Sequence, residues 1–484
     1  MSEKPFLRYD KGTLILHPYP EKSGSWERYV TWDNRVERYR APGRHYAPLM
    51  LALREDGIKV IDGARDFHEV DFAPAFEMTP YQHQREALKA WMKYGRAGVV
   101  VLPTGAGKTY LAELAIQRTP RSTLVLVPTK PLLSQWYMRM VGVFPDLNVG
   151  VLGGGDRDGI SPDNDPPVDL LISTYTSAAI HAERLGNRYA FIVFDECHNL
   201  PTDFYRVIAE FSIAPYRLGL SATPERMDNR HEELDDLIGP EVYRRAPEEL
   251  SGTTLANYET IQIKVALTKE EREEYEYNIE VRNRFMRESG LTFGGNGWNR
   301  FVQASARSTE GRRAMLAHNK ARKLAFGAAG KIRVTETLLA EHSPARTIIF
   351  TNDNETVHTI SERLLLPSIT HETPTKERHI ILDLFRKGIY KVVVTSRVLN
   401  EGVDVPNATI GIMLSGTGSR REYIQRLGRL LRRGDDPNKK ALLYEVIAQD
   451  TTEEGTSRRR RGNQKRGPVY HVDAPQQARF NFDE

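Results

Sequence analysis

This 484-residue sequence contains a single cysteine, Cys197. A lone cysteine excludes an intrachain disulfide and a zinc site built from several cysteines, and it is typical of a reducing compartment. No apolar run approaches the ~20 residues that a membrane-spanning helix requires, and the first residues lack the apolar core of a secretory signal. We therefore expect a cytoplasmic protein with no membrane partner.

Neither sign of charge dominates the chain, because 68 Lys and Arg residues face 64 Asp and Glu residues, for a formal net charge of +4. So close a balance neither requires nor excludes a nucleic-acid partner, and local clusters of charge are more informative. The hydrophobic content of 40% is sufficient for ordinary globular cores. The length favours roughly two to four domains of the usual size.

The most informative stretch runs from Val99 to Glu113, where a β-branched run is followed by Pro-Thr-Gly-Ala-Gly-Lys-Thr and a helical pattern. Glycines in the loop permit positive φ, and backbone N–H groups and a helix N-terminus then point into one concavity. Lys108 would place its charge on the β- and γ-phosphates of ATP, and the Thr109 hydroxyl would hold Mg²⁺. We therefore predict ATP and Mg²⁺ as cofactors. The predicted nucleotide-binding loop comprises Thr104, Gly105, Ala106, Gly107, Lys108 and Thr109.

A second motif is the hydrophobic run Phe191–Phe194, which ends in the acidic residues Asp195 and Glu196. An aspartate at the carboxyl end of a strand beside a phosphate loop can hold Mg²⁺, and the following glutamate can polarise the attacking water. Cys197 and His198 do not suggest zinc, because adjacent residues rarely both ligate one ion. The sequence therefore predicts a catalytic acidic pair.

Two further motifs carry groups that could sense the γ-phosphate. Ser221 and Thr223 follow another apolar run and could hydrogen-bond the acidic pair. Near the end of the chain, helical spacing places Gln425, Arg429 and Arg432 on one face. Guanidinium groups on a second domain could reach the γ-phosphate only when two domains close. The alternative is a basic helix on a nucleic-acid surface.

Short apolar runs alternate with helical patterns in two successive sets, which predicts parallel sheets covered by helices on both faces. The carboxyl ends of the strands in such sheets are where ligands bind. The first set comprises Val99–Leu102, Leu124–Val127, Leu170–Ser173, Phe191–Phe194 and Leu218–Leu220. The second set comprises Ile261–Val265, Thr347–Phe350, Lys391–Thr395, Thr409–Leu414 and Leu442–Val446. We therefore predict an α/β chain with two such domains in tandem, residues 74–255 and 256–455.

Three segments flank or interrupt these domains. Over residues 1–73, which we expect to form a small α+β domain, aromatic side chains alternate with arginines, as suits contact with nucleic acid or burial in a small core. Residues 270–330 are charged and helical in composition, which predicts an inserted helical subdomain or a solvated helix pair. Residues 456–484 include Arg458–Arg461 and predict a disordered basic tail.

The set and order of these motifs resembles superfamily 2 helicases with two RecA-like domains, over about residues 79–450. Within that superfamily the chain is most similar to the XPB-like DNA repair helicases of archaea and bacteria. Thr31–Pro42 looks like that family's damage-recognition domain, and the charged insertion occupies the position of its thumb. The matching motifs are Pro103–Thr109, Asp195–His198, Ser221–Thr223, Thr395–Asp404 and Gln425–Arg432.

The resemblance implies an ATP-dependent 3′–5′ DNA helicase of DNA repair. Its substrates would be single-stranded, forked or distorted duplex DNA, its partner a nuclease, and its location the cytoplasm in association with the nucleoid. Gln84 would recognise adenine, with Gln82 as the alternative, and Gly402 and Asp404 would join the nucleotide site. Residues implied to contact nucleic acid are Thr129, Gln135, Thr174, Thr351, Asn352 and Thr395. Residues implied to couple the two sites are His198, Ser221, Thr223 and Glu401.

One departure from the family pattern bears on strand opening. The family carries Arg-Glu-Asp soon after the Ser-Ala-Thr motif, where this chain has Arg226, Met227 and Asp228. This difference affects the expectation of duplex unwinding more than that of ATPase activity. Two other functions therefore stay open: a duplex DNA translocase or motor subunit of a restriction or defence system, and a non-enzymatic scaffold. The intact Lys108 and Glu196 argue against the scaffold.

Overall fold

The computed structural model describes residues 4–158, 168–226, 228–292, 297–396, 408–430, 439–461 and 467–473, without the side chains of Arg420, Arg421 and Arg429. The chain divides into two compact units, residues 1–250 and 251–484. The predicted boundary between residues 255 and 256 lies close to this division, whereas the boundary after residue 73 stays a prediction. Within the described ranges, no helix is both long and apolar enough to cross a bilayer.

The amino-terminal domain is a small α+β fold. Its elements are β1 Phe6–Asp10, β2 Thr13–His17, β3 Thr31–Asp33, β4 Arg38–Pro42, α1 Tyr46–Glu55 and β5 Ile61–Gly63. The described strands form one sheet in the order β3-β4-β2-β1-β5, which is antiparallel except where β5 lies parallel to β1. Trp26 and Tyr46 are buried in the core, whereas Trp32 is 47% exposed. The aromatic residues therefore divide between the core and the surface.

This domain shares its core with the sheet domain that follows it. Ile213 belongs to the same apolar cluster as Trp26 and Leu49. The carboxamide of Asn187 donates to the Ala64 carbonyl at 3.0 Å. Removal of the amino-terminal domain would therefore expose apolar surface on the first unit.

The first large sheet follows. Its strands are β6 Ala97–Val101, β7 Thr123–Val127, β8 Val149–Gly153, β9 Asp156–Arg157, β10 Leu170–Thr174, β11 Phe191–Asp195, β12 Tyr216–Ser221 and β13 Glu241–Arg244. Its helices are α2 Gln82–Lys93, α3 Lys108–Gln117, α4 Lys130–Val143, α5 Tyr175–Ile180, α6 Ala182–Leu185, α7 Val207–Phe211, α8 Leu234–Leu237 and α9 Pro247–Leu250. Among the described strands the order is β13-β6-β12-β11-β7-β10-β8-β9, and every neighbouring pair except β8 and β9 is parallel. The carboxyl ends of β6, β12, β11 and β7 therefore lie side by side.

The five strands predicted for this sheet are confirmed, but β8, β9 and β13 were not predicted. The sequence of β8, Val-Gly-Val-Leu-Gly, is interrupted by glycine, which weakens a strand pattern. The strand β13 has a charged residue at each end, Glu241 and Arg244, and lies at the sheet edge. Edge strands need no continuous apolar run, because one side faces solvent.

The second unit contains another parallel sheet. Its strands are β14 Asn257–Val265, β15 Thr347–Phe350, β16 Ser368–Ile369, β17 Val392–Thr395, β18 Ile410–Met413, β19 Lys440–Ala448 and β20 Val469–Val472. Its helices are α10 Lys269–Glu288, α11 Gly297–Ser305, α12 Thr309–Phe326, α13 Ala329–Glu341, α14 Asn354–Leu364, α15 Thr375–Arg386, α16 Arg420–Leu430 and α17 Thr452–Arg461. The order over the described strands is β16-β17-β15-β18-β19-β14-β20, with every neighbouring pair parallel.

The charged insertion forms a helical subdomain with its own small core. The helices α10, α11 and α12 pack together around Met286, Phe301 and Ala314. The Thr268 hydroxyl accepts a hydrogen bond from the Glu271 amide at 3.2 Å, which caps the start of α10. The described residues of the insertion therefore form a packed helical subdomain in place of a merely solvated helix pair. Its role as a thumb stays a prediction.

The predicted disordered basic tail over residues 456–484 is wrong for the described part of that segment. Residues up to Arg461 complete α17, and β20 adds to the sheet beside β14. Arg460 is 1% exposed, and its Nε atom donates to Glu445 Oε1 at 2.5 Å. A buried arginine is tolerated because a carboxylate compensates its charge, and the sequence pattern does not reveal such a partner. Residues 462–466 and 474–484 lie outside the described residues.

Candidate active site

The predicted phosphate loop joins β6 to α3. Gly105 and Gly107 have φ values of +88° and +80°, so both glycines adopt the left-handed conformation that the sequence predicted. A Cβ atom on Gly107 would also lie 2.3 Å from Nε2 of Gln84. Glycine is therefore required at 107 by both conformation and space.

Gln84 connects the start of α2 to this loop. The side chain is 1% exposed, and its Nε2 atom donates to the carbonyls of Ala106 and Gly107 at 3.2 and 3.3 Å. Its Oε1 atom accepts from the Tyr81 amide at 2.9 Å. Gln82, the alternative, donates to a neighbouring glutamate on the exposed side of the helix. Gln84 thus supports the loop directly, while adenine recognition by it stays a prediction.

The acidic pair lies beside the phosphate loop because β11 and β6 both flank β12. Asp195 Oδ1 accepts from the Glu196 amide at 3.1 Å, and Asp195 Oδ2 accepts from Trp136 Nε1 at 2.9 Å. Lys108 Nζ lies 3.9 Å from Glu196 Oε1 and donates to the Leu102 carbonyl at 3.3 Å. The structure therefore brings together the lysine and both acids. Trp136 was not predicted from the sequence, and its place directly after Gln135 was the available signal.

The electrostatics of the pair favour a bound cation. Burial raises the pKa of Asp195 to about 6, and the Glu196 charge adds to this effect while the Lys108 charge opposes it. A cation between the carboxylates would relieve both effects. Glu196 Oε2, Thr104 Oγ1 and Thr223 Oγ1 are buried without a hydrogen bond to any described residue. Carboxylate and hydroxyl oxygens are ligands that Mg²⁺ prefers, so the residues present fit a hydrated Mg²⁺ and phosphate groups.

The Ser-Ala-Thr motif reaches the acids through a histidine. His198 Nδ1 lies 3.2 Å from Ser221 Oγ and 3.4 Å from Glu196 Oε2. Ser221 Oγ also accepts from the Thr223 amide at 3.2 Å. The predicted link between this motif and the acidic pair is therefore indirect, with His198 between them.

Arg226 joins this network, although the sequence did not predict such a role for it. Its guanidinium group forms a fork on Asp228, with N–O distances of 2.9 and 2.7 Å, and Nη1 donates to the His198 carbonyl at 2.8 Å. Met227 lies outside the described residues. The arginine and aspartate that flank it thus form a local ion pair that is anchored on the acidic loop.

Two of the three predicted nucleic-acid residues of the first unit lie at helix starts. Thr129 is the N-cap residue of α4, and its buried Oγ1 has no hydrogen bond within the described part of the chain. Gln135 is exposed on the same helix. Thr174 caps α5 by accepting from the Ser177 amide at 3.1 Å. Contact of these residues with nucleic acid stays a prediction.

The predicted contacts of the second unit are buried. Thr351 and Thr395 are both 0% exposed, and their hydroxyls donate to backbone carbonyls at 3.0 and 3.2 Å. The backbone N–H of Asn352 donates to Ser415 Oγ at 2.7 Å. Arg426, which the sequence motifs did not single out, donates to the carbonyls of Ser415 and Thr351 at 3.1 Å each. These side chains therefore form hydrogen bonds within the protein at the carboxyl ends of β15, β17 and β18.

The remaining predicted residues belong to the second unit. Gln425 is 4% exposed on α16. The roles of this residue and of the arginines on the same helix stay predictions. Predicted residues outside the described part of the chain are Glu401, Gly402, Asp404 and Arg432, together with the side chain of Arg429.

A phosphate loop after β6 and an acidic pair at the end of β11 lie on either side of β12, and a second parallel sheet follows. This arrangement defines the class of tandem RecA-like helicases. Solved structures share this fold. Saccharomyces cerevisiae Dbp5 bound to RNA and ADP BeF3 aligns with a TM-score of 0.55 and 16% identity, over 82% of this chain and 90% of that one. The Pyrococcus furiosus Hef helicase domain aligns with a TM-score of 0.51 and 20% identity, over 77% and 97%.

Sequence comparisons then identify the family. Matching family models are the xeroderma pigmentosum group B helicase damage recognition domain (residues 7–64), the type III restriction enzyme res subunit (77–226) and the ERCC3/RAD25/XPB C-terminal helicase (312–472). The DNA 3′-5′ translocase XPB2 of Sulfurisphaera tokodaii is 37% identical over 94% of this chain and 99% of that protein. The DNA 3′-5′ helicase XPB of Kineococcus radiotolerans is 30% identical over 86% and 68%. The chain belongs to the XPB family and is an ATP-dependent DNA helicase or translocase.

Proposed function

We propose that this chain uses ATP hydrolysis at the carboxyl edge of its first sheet to move 3′–5′ along DNA during DNA repair. The observation that carries the proposal is the convergence of Lys108, Asp195 and Glu196 at the carboxyl ends of β6 and β11, which both flank β12. The resemblance to relatives named DNA 3′-5′ translocase and helicase supports the direction of movement.

Each residue of this site has a distinct proposed role. The backbone of the phosphate loop and Lys108 bind the phosphates, and Asp195 and Thr109 hold Mg²⁺. The ion supplies positive charge that stabilises the transferred phosphoryl group. Glu196 orients the attacking water, and its Oε2 atom lies 3.4 Å from His198 Nδ1. His198 links this glutamate to Ser221 and transmits the state of the site to the Ser-Ala-Thr motif.

The second unit completes the motor in this proposal. Gln425, Arg429 and Arg432 stabilise the γ-phosphate charge when the two domains close, and Gly402 and Asp404 contribute to the nucleotide site. DNA contacts come from the strand ends of both units and are largely to phosphates, as a motor that ignores sequence requires. Closure and reopening then move the chain along the strand.

The resemblance to XPB-like proteins supports a proposal for the substrate and the setting. We propose that single-stranded, forked or distorted duplex DNA is the substrate, and that the protein acts at the nucleoid in the cytoplasm. A partner nuclease, implied by the resemblance to XPB-like proteins, would cut the DNA that this motor exposes.

A second candidate function is translocation on duplex DNA without strand separation. The relative with 37% identity is named a translocase, whereas relatives with 30% identity are named helicases. Met227 also replaces the glutamate of the family's Arg-Glu-Asp motif. Both observations favour movement over unwinding.

Two assays on the same preparation test the proposal. ATP turnover is measured without DNA and with single-stranded, duplex, forked and bubble DNA, and strand separation is measured on the forked DNA. Stimulation by forked or bubble DNA with strand separation supports a helicase, while stimulation by duplex DNA without separation supports the translocase. An ATPase that ignores every DNA contradicts both functions. Lys108→Ala provides the inactive control.

A further inference from the structure

Asp195 is held from both sides by groups that do not belong to the phosphate loop. Trp136 donates from α4 to Asp195 Oδ2 at 2.9 Å, and the Glu196 amide donates to Oδ1. The hydroxyl of Tyr175 donates to the Asp195 carbonyl at 2.9 Å. Trp136 is 2% exposed. The orientation of this carboxylate therefore depends directly on where α4 lies.

Two of the predicted DNA contacts of the first unit, Thr129 and Gln135, belong to α4 and its N-terminus. Thr129 occupies its N-cap position, and Gln135 is exposed immediately before Trp136. Successive helical residues point about 100° apart, so these two neighbours can face a strand outside and a carboxylate inside. A displacement of α4 by a bound strand would move the Trp136 indole relative to Asp195.

A second contact joins α4 to the phosphate-loop helix. Arg139 lies one turn after Trp136 and forms a fork on Glu113 of α3, with N–O distances of 2.6 and 2.9 Å. Glu113 is 1% exposed, and forked charge-assisted pairs of this kind are geometrically specific. The helix α4 thus forms side-chain hydrogen bonds both with α3, which begins at Lys108, and with Asp195 at the end of β11.

We propose that Trp136 is a positioning residue of the ATPase site, which links the DNA-facing side of α4 to the Asp195 carboxylate. Engagement of a strand by α4 sets the carboxylate orientation through the indole N–H, and so contributes to DNA-stimulated hydrolysis. This inference rests on the proposed function and adds to it a route from the DNA contacts to the acidic pair.

The test compares two tryptophans of the same unit. Trp136→Phe removes the indole N–H and keeps an aromatic ring. Trp91→Phe is the matched control, because Trp91 is 1% exposed and its Nε1 atom donates to the Arg217 carbonyl at 2.9 Å rather than to an acid. The measurements on the full chain are the affinity for AMPPNP with and without Mg²⁺, and ATP turnover with and without single-stranded DNA.

For Trp136→Phe we expect the gain in AMPPNP affinity that Mg²⁺ confers to fall by roughly 10–100-fold, as is typical when the partner of a metal-holding residue is removed. The affinity without Mg²⁺ should stay unchanged, and the stimulation of turnover by DNA should fall. Trp91→Phe should preserve both properties. Equal losses in the two variants, or wild-type Mg²⁺ dependence and stimulation in Trp136→Phe, would overturn the inference.

A loss of folding stability is distinguished from the loss of the indole N–H by a second substitution. If Trp136→Phe lowers the unfolding temperature more than Trp91→Phe does, a variant with benzothienylalanine at position 136 is tested in its place. This tryptophan analogue keeps the size of the ring system but has no N–H. The same loss of Mg²⁺ dependence is expected, and its absence overturns the inference. A wild-type ATPase that ignores DNA overturns the proposed function as well. Wild-type stimulation that survives the loss of the Trp136 N–H overturns only this inference.

Discussion

The Nζ atom of Lys108 lies 3.9 Å from Oε1 of Glu196, although 87 residues separate them in the chain. Among the described residues the lysine side chain donates one hydrogen bond, to the Leu102 carbonyl, so its removal should cost little folding stability. Lys108→Ala should abolish ATP turnover, because the positive charge that contacts the phosphates is removed. The unfolding temperature should stay close to that of the wild type. Turnover and thermal unfolding check this directly. Wild-type turnover in the variant would contradict the assignment of the loop.

The two acids should differ in what they lose. Glu196→Gln should bind ATP with Mg²⁺ but hydrolyse it poorly, since the amide cannot polarise water as a carboxylate does. Asp195→Asn should weaken the Mg²⁺-dependent part of nucleotide binding while its oxygen can still accept from Trp136. Nucleotide affinity with and without Mg²⁺ and single-turnover hydrolysis distinguish the two. Identical loss of binding in both variants would show that the proposed division of roles is wrong.

Arg429→Ala should lose most DNA-stimulated hydrolysis, because arginine groups of this kind contribute roughly 10³–10⁵ in turnover. Nucleotide affinity should change little, since the phosphate loop and the acids belong to the first unit. Arg459→Ala, which alters an exposed arginine on α17, is the control for loss of basic surface. If both variants reduce activity to the same degree, α16 is only a basic surface, and the closure mechanism must be withdrawn.

Trp32→Ala should reduce the preference for distorted over regular duplex DNA. The side chain is 47% exposed on the edge strand β3, where it could stack on a base, and such stacking contributes about 1–3 kcal/mol. Ile61→Ala alters an apolar residue, 51% exposed, at the opposite edge of the same sheet and should have no effect. Competition binding with bubble and regular duplex DNA measures the preference. A substitution is preferable to deletion, because Ile213 shares the core of this domain.

The helical insertion should lose stability in acid through His318. Burial, with the charges of Arg282 and Arg322, lowers the pKa of His318 from 6.5 to about 4, and its Nδ1 atom has no partner among the described residues. The unfolded chain therefore binds the proton more readily. The stability that the neutral His318 side chain contributes is complete above the unfolded pKa of 6.5, and it is lost as the pH falls from 6.5 towards 4. Because solvent screens a side chain that is only partly buried, the loss between about pH 7 and about pH 5 should be on the order of 1 kcal/mol.

His318→Phe should remove that part of the pH dependence, because phenylalanine does not titrate. Denaturant unfolding of wild type and variant at both pH values measures the difference. His358→Phe, at a side chain that is 51% exposed, is the control and should keep the wild-type dependence. An unchanged slope in His318→Phe would show that this histidine does not bind the proton on unfolding.

Local sequence patterns predicted the motif residues of the first unit, but they did not predict the side-chain contacts between distant segments. The loop at Gly105 and Gly107 and the acids at the end of β11 were predicted because consecutive residues carry the signals of a strand, a turn and a helix start. The contacts of Trp136 with Asp195 and of Arg226 with His198 span 59 and 28 residues, and no local pattern signals them. The hydroxyls of the predicted DNA contacts in the second unit were likewise not expected to be buried.

The run of arginines near the carboxyl end of the chain led to the wrong prediction of a disordered tail. Arg458–Arg461 are four consecutive arginines, a composition typical of a solvated tail. Arg460 is nevertheless buried and pairs with Glu445. Burial of a charge depends on a partner elsewhere in the chain, and composition does not report that partner. The strand β20 was missed for a related reason, because four residues at a sheet edge form no recognisable run.

By itself the sequence determined that strands alternate with helices in two successive sets, and it predicted which residues carry the phosphate chemistry. Both are local properties, since glycine conformation, strand propensity and helix starts depend on neighbouring residues. Only the tertiary structure decided that β12 lies between β6 and β11, and hence that Lys108 approaches Glu196. It also decided that Trp136 contacts Asp195. Strand order and side-chain contacts between helices arise from hydrogen bonds and packing between distant segments, which periodicity along the chain does not encode.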